Sequence, residues 1–115
     1  MPRYRMLILS RPAAGREERY NEWYDGTHLE QMLALKGFKS AQRLHLARTL
    51  GEREAYPYAA IYEIETDDID AVLQDIYREA GSGRLLVDAA LERESVYAAI
   101  YEDFGPVKEG SARGP

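Results

Sequence analysis

The order in which hydrophobic periods change along this chain constrains its fold more than any single residue does. Residues 3–10, Arg-Tyr-Arg-Met-Leu-Ile-Leu-Ser, form a strand-like run closed by Pro12. Gly15 then opens a helical stretch with Glu17 and Glu18 in its first turn, where the macrodipole favours anions. Tyr20, Trp23, Tyr24 and Thr27 recur there at helical spacing and share one face. Gly26 is the expected end of this helix.

The run Thr27-His28-Leu29-Glu30 reads as a capping box, with Thr27 as N-cap of a second short helix striped by Leu29, Met32 and Leu33 and ended by Gly37. Strands are expected at 38–47 and 57–65, separated by a polar loop holding Gly51 and Glu52. Asp67 and Asp68 then cap an amphipathic helix through Ile69, Val72, Leu73, Ile76, Tyr77 and Ala80, which Gly81 stops. Leu85 to Leu91 is expected to add a helical turn, and a last strand spans 95–103. The domain is placed at 1–104, with 105–115 as a flexible tail rich in Gly, Ser and charge. The hexapeptide Tyr-Ala-Ala-Ile-Tyr-Glu occurs at 58–63 and again at 97–102, and is read as two strands meeting a similar packing demand.

The resulting order, strand, broken helix, strand, strand, helix, strand, is the ferredoxin-like βαββαβ pattern of the α+β class: a four-stranded antiparallel sheet with its helices on one face. The opposite face carries large side chains and needs a cover, which an identical subunit supplies through a two-fold interface, so a homodimer is expected. At 115 residues the chain is one domain, and its 45% apolar content is ordinary for a soluble protein. No run approaches the roughly 18 apolar residues of a membrane span. The opening Met1-Pro2-Arg3-Tyr4 does not resemble a signal peptide, and the cytoplasm is the expected compartment. Zero cysteines exclude disulfides and thiolate chemistry, and a net charge of -5 argues against a general nucleic-acid binder.

Two segments, Asn21-Glu22-Trp23-Tyr24-Asp25-Gly26-Thr27-His28-Leu29 and Leu35-Lys36-Gly37-Phe38-Lys39-Ser40-Ala41-Gln42-Arg43, resemble the signature of the dimeric α/β-barrel superfamily, and most of all its EthD-like branch. The resemblance covers about residues 3–104. It implies a dimeric α/β barrel but not one activity, since relatives include polyketide cyclases, cofactor-free quinone-forming monooxygenases, muconolactone isomerase, haem-degrading enzymes and chlorite dismutases. In several cofactor-free members a histidine near this region assists proton transfer, and the resemblance places that role on His28. The chain departs from the pattern at Glu30, where proline commonly follows His-Leu.

One of only two histidines thus lies beside Trp23, Tyr24 and Asp25. As the first residue after an N-cap, His28 would sit in the positive potential of unpaired backbone N–H groups, and that potential together with burial favours the neutral imidazole. A neutral imidazole serves as general base or hydrogen-bond donor. The expected catalytic residues are His28 and Asp25, and the expected substrate-binding residues are Tyr20, Trp23, Tyr24, Arg43 and Tyr62. The plainer alternatives make His28 a loop tie, Trp23 and Tyr62 packing residues, and Asp25 a cap. His45 shares a strand face with Arg43. No Gly-rich phosphate loop or HExxH spacing occurs, so no cofactor and no metal is expected. The favoured reading is cofactor-free acid–base chemistry on an aromatic or cyclic oxygenated metabolite: an isomerase, cyclase, lyase or monooxygenase. A non-catalytic ligand-binding dimer and a haem protein are the alternatives, and neither nucleic acid nor membrane is expected as a partner.

Overall fold

A computed structural model describes residues 1–111. Strand β1 (Arg3–Ser10) leads into helix α1 (Glu17–Trp23), a π-helical turn (Tyr24–His28) and helix α2 (Leu29–Leu33). Strands β2 (Phe38–His45) and β3 (Tyr58–Glu65) follow, then helix α3 (Ile69–Gly81), a 3₁₀ turn (Arg93–Ser95) and strand β4 (Tyr97–Glu102). The sheet order is β2-β3-β1-β4 with every pair antiparallel, which is the ferredoxin-like arrangement expected from the order of elements.

Burial alternates along the central strands. Met6 and Ser10 of β1, with Ala60, Tyr62 and Ile64 of β3, face the helices and are almost fully buried. Their partners across the core are Tyr20, Trp23, Tyr24 and Met32 from the first helical segment and Val72 from α3. Asp68 caps α3 by accepting a hydrogen bond from the Ala71 amide at 3.1 Å, as the sequence predicted. Gly37, at φ +94°, turns the chain into β2; a Cβ there would meet the Glu65 carbonyl at 3.2 Å.

Three expectations are corrected. The first helix does not break at Gly26: Tyr24 to His28 stay helical and widen into a π turn, and Thr27 is not an N-cap, because no side-chain cap bond forms at the start of α2. Leu85 to Leu91 is not helical. It is an irregular loop tied to the chain just past the end of β1, with Leu91 bridged to Pro12 and the Ala13 amide donating to the Ala90 carbonyl at 2.6 Å. Its inward residues Leu85, Ala90 and Leu91 are buried, so the apolar periodicity was real but served a loop.

The third correction concerns the duplicated hexapeptide, whose two copies flank β1 on opposite sides. Met6 is paired with Tyr62 in β3 but with Ile100 in β4, and Ile8 with Ala60 but with Ala98. The copies therefore differ by one residue in phase and point opposite faces at the helices. The expected tail begins after β4 with Phe104 fully exposed, and its last residues, 112–115, lie outside the described residues.

Candidate functional site

The π turn aligns residues five apart, as its backbone shows: the Leu29 amide donates to the Tyr24 carbonyl. Trp23 consequently lies against His28, the two rings stacked at 4.6 Å and 24°, while Tyr24 meets the imidazole edge-on at 5.2 Å and 88°. An aromatic box thus forms around His28, although not at a helix break. Because His28 is inside a continuous helix, free amide groups are not what keeps it neutral. Burial does so, lowering its pKa from 6.5 to about 4, against a smaller opposing effect of the Gln31 side-chain amide.

His28 borders both lobes of an apolar cavity. The larger lobe, about 430 Å³, lies between the β1–β4 half of the sheet and α3, walled by Leu73, Ile76, Leu85 and Ile100. The smaller, about 300 Å³, extends toward Trp23, Tyr24, Tyr62 and Leu91. Met6, Ile8, His28, Met32 and Val87 belong to both, so the imidazole stands where the lobes meet. This is the concave, mostly apolar surface with few polar groups that small-molecule sites present.

The polar groups around it are incompletely bonded. Among the described residues, the buried polar side-chain atoms without a hydrogen-bond partner are Arg11 Nε, His28 Nδ1, Gln31 Oε1 and Tyr62 Oη. The last three belong to the cavity wall or to the residue acting on His28, whereas buried polar groups are ordinarily satisfied. Burial raises the pKa of Tyr24 to about 12 and pushes that of Tyr62 higher still, with the nearby Tyr24 phenol adding to the effect. Both phenols are therefore neutral donors at physiological pH.

A second cluster lies on the other side of Tyr24 and is fully bonded. The Arg43 guanidinium sits 4.4 Å from the Tyr24 ring centroid, 5.3 Å from Tyr20 and 5.1 Å from Tyr58. Its Nη1 donates to Asp25 and its Nη2 to Asn21, each at 2.9 Å. Asn21 donates in turn to the Tyr58 hydroxyl, which donates to Glu17 at 2.5 Å, and the Tyr20 and Ser10 hydroxyls bond each other at 2.6 Å. The bond to Glu17 is the main reason the Tyr58 pKa is raised.

The expected site residues therefore divide. His28, Trp23, Tyr24 and Tyr62 converge on the cavity. Asp25, expected as the partner of His28, is paired with Arg43 and makes no bond to the imidazole. Tyr20 and Arg43, expected in the substrate site, line neither lobe; Tyr20 is wholly enclosed, and Arg43 and His45 border only a shallow outer depression. The α3 wall and Gln31 were missed. Gln31 had a legible signal, since it follows His28 by three residues on a helix and so shares its face.

The lining does not suit haem. Among the described residues the only cation on either lobe is Arg93, which donates to the Val87 carbonyl at 3.1 Å, so no pair of these residues' cations faces the cavity to hold two propionates.

No family model and no curated protein matches the chain. Solved structures do. A dimeric ferredoxin-like protein of unknown function from Jannaschia sp. CCS1 is 18% identical, with a TM-score of 0.61 over 88% of this chain and 99% of that one. A provisionally assigned monooxygenase from Shewanella loihica PV-4 is 17% identical, with a TM-score of 0.58 over 92% and 99%. An ethyl tert-butyl ether D (EthD) family protein from Bacillus halodurans C-125 is 13% identical, with a TM-score of 0.52 over 90% and 100%. The chain has the ferredoxin-like fold of these dimeric and EthD-type proteins.

Proposed function

We propose that this protein is a small-molecule enzyme that uses cofactor-free general acid–base chemistry on an aromatic or cyclic oxygenated metabolite, with His28 as the proton carrier. One observation carries the reading: a neutral imidazole at the meeting point of two apolar lobes, stacked on Trp23 and with its Nδ1 buried and unbonded. Perturbed titratable groups in such cavities are where acid–base chemistry is sought. With its pKa lowered to about 4 by burial, His28 is unprotonated at neutral pH; it is a weaker base than a free imidazole and a correspondingly stronger acid once it has taken up a proton. That combination suits a proton taken from one atom of a substrate and returned to another, as in isomerisation or cyclisation. Trp23, Tyr24 and Tyr62 shape the smaller lobe, and Asp25 acts on this region only through Arg43.

The working assembly in this reading is a cytoplasmic homodimer. The sheet face away from the helices gathers Leu7, Leu9, Ile61, Tyr97 and Tyr101, and similar folds from Jannaschia and elsewhere are described as dimeric. Sedimentation at micromolar concentration is expected to show a species of twice the chain mass; a monomer alone refutes the dimer.

The rival is a binding protein without catalysis, because unpaired polar atoms at a cavity suit a bound ligand equally. Thermal-shift screening of aromatic and alicyclic metabolites identifies a ligand, and turnover is followed by proton NMR. His28→Ala is expected to keep the fold and lower turnover by about 10²- to 10⁴-fold. Turnover that survives the substitution intact removes His28 as the proton carrier, and binding without turnover in the native protein favours the binding role.

A further inference from the structure

The least explained feature of the site is a pair of buried polar atoms, His28 Nδ1 and Gln31 Oε1, neither of which has a bonded partner. Residues three apart on a helix lie on one face, so these two unpartnered atoms belong to neighbouring side chains, and Gln31 is the group that opposes burial in setting the His28 pKa. The orientation of that amide is set from outside: Gln31 Nε2 donates to the Arg84 carbonyl, at 3.2 Å, in the loop that follows α3. Its nitrogen is thereby committed, which leaves the buried Oε1 as the amide atom free to accept a hydrogen bond. A neutral imidazole carries one N–H, and the hydrogen bond made at one ring nitrogen decides which atom keeps it. The other nitrogen, Nε2, is not sealed in the way Nδ1 is, and His28 borders both lobes.

We propose that Gln31 is a positioning residue that holds His28 as the Nδ1–H tautomer, so that the cavity selects an uncharged molecule presenting an O–H donor, a phenol or enol, to Nε2. Bare Nε2 accepts a hydrogen bond and cannot give one, so an ether or ketone of the same shape gains nothing there. The larger lobe is lined by apolar side chains apart from His28 and the Tyr77 ring, and it holds no cation. A carboxylate or phosphate would lose its hydration without compensation, which is costly for a charge. The inference rests on the reading of His28 as the working group of this site, but it concerns what the site binds and not whether it turns anything over.

Two measurements on the full chain test it. Nitrogen-15 NMR of the imidazole side chains in the unliganded protein at pH 7, with His45→Gln used to assign the two histidines, should show His28 Nδ1 protonated and Nε2 bare. In Gln31→Leu the preference should weaken or reverse. A native protein already in the Nε2–H form overturns the proposal, as does an unchanged tautomer in Gln31→Leu; should the variant fail to fold, the native spectrum decides alone. Calorimetry with 2-naphthol, 2-methoxynaphthalene and 2-naphthoate then reads selectivity. The naphthol is expected to bind about 10-fold or more tightly than its methyl ether, the worth of one good hydrogen bond, and the carboxylate more weakly than either. Equal binding of naphthol and ether, tighter binding of naphthoate, or no binding by any of the three overturns the ligand class. Each of these readings is independent of turnover in His28→Ala, so the binding proposal and the catalytic one fail separately.

Discussion

Strands β3 and β4 carry the same six residues, Tyr-Ala-Ala-Ile-Tyr-Glu, and lie on either side of the same strand, yet they do opposite work. In β3 the first, third and fifth residues face the helices, so Tyr62 is 0% exposed and stands in the cavity wall. In β4 the phase has shifted, so Ile100 lines the cavity while Tyr97 and Tyr101 turn outward with their hydroxyls hydrogen-bonded to each other, Tyr101 being 51% exposed. Identical composition thus gives a buried polar atom in one strand and an exposed apolar patch in the other. Register alone makes the difference, because side chains alternate with a period of two.

The largest effect expected from this contrast is on stability. Tyr62→Ala should cost about 3 to 5 kcal/mol, since it empties a fully enclosed site packed edge-on against Phe38 at a centroid distance of 5.8 Å. Tyr101→Ala, the same change at the same motif position, should cost less than about 1 kcal/mol in urea unfolding of the dilute protein. If the outer face is covered by a second subunit, the Tyr101 cost should grow with protein concentration while the Tyr62 cost does not. Equal losses at low concentration would mean the phase difference has no energetic content.

The same distinction shows what was readable in the sequence. Element order and sheet topology were legible because each run shows its own period and its own stop, such as Asp68 before α3 and Gly37 before β2. The phase of β4 was not, because both of its faces carry apolar residues and alternation cannot say which one is covered. The π turn was missed because Gly26 and the Thr27–Glu30 spacing both satisfy local rules for a helix end. Tertiary packing overrode them: Tyr20, Trp23 and Tyr24 bury one continuous aromatic face, and Asp25 is held by Arg43, eighteen residues away. The grouping of His28 with Tyr24 and Trp23 was suggested by their closeness in one helical segment, whereas the Trp23–His28 stacking comes from the π turn. The place of Tyr62 in the cavity wall and the exclusion of Tyr20, Arg43 and Asp25 come from contacts that no local pattern encodes.

The helix-facing side of the sheet should also be the side that rejects protons. The folded-state pKa of His28, about 4, lies below its ordinary 6.5, so as pH falls the unfolded chain takes up the proton first. Stability contributed by neutral His28 is whole above about pH 6.5, is lost progressively toward pH 4, and changes no further below that. The span corresponds to roughly 2 to 4 kcal/mol. Between pH 7 and 4.5 the native protein should therefore lose about 2 to 3 kcal/mol more than His28→Leu, compared by urea midpoints. Parallel pH profiles would show that the imidazole is not desolvated, and the contrast between an enclosed and an open face would weaken.

The smallest effect is the most discriminating, because it compares two fully buried phenols, one hydrogen-bonded and one not. Tyr20 and Tyr62 are each 0% exposed, but Tyr20 shares a 2.6 Å hydrogen bond with Ser10, itself 1% exposed, while Tyr62 Oη has no partner. Replacing Tyr20 by Phe strands the Ser10 hydroxyl in the core and should cost about 1 to 2 kcal/mol. Replacing Tyr62 by Phe removes a group already unsatisfied, so stability should stay within about 0.5 kcal/mol or rise slightly. Deleting the hydroxyl leaves the packed volume otherwise unchanged, so cavity formation does not confuse the comparison. If Tyr62→Phe is as costly as Tyr20→Phe, the Tyr62 hydroxyl is bonded in the resting protein and is not held open for a ligand. If Tyr62→Phe is neutral for stability but weakens binding of a hydroxylated ligand, the unsatisfied phenol in β3 belongs to the site, and its twin in β4, facing outward, does not.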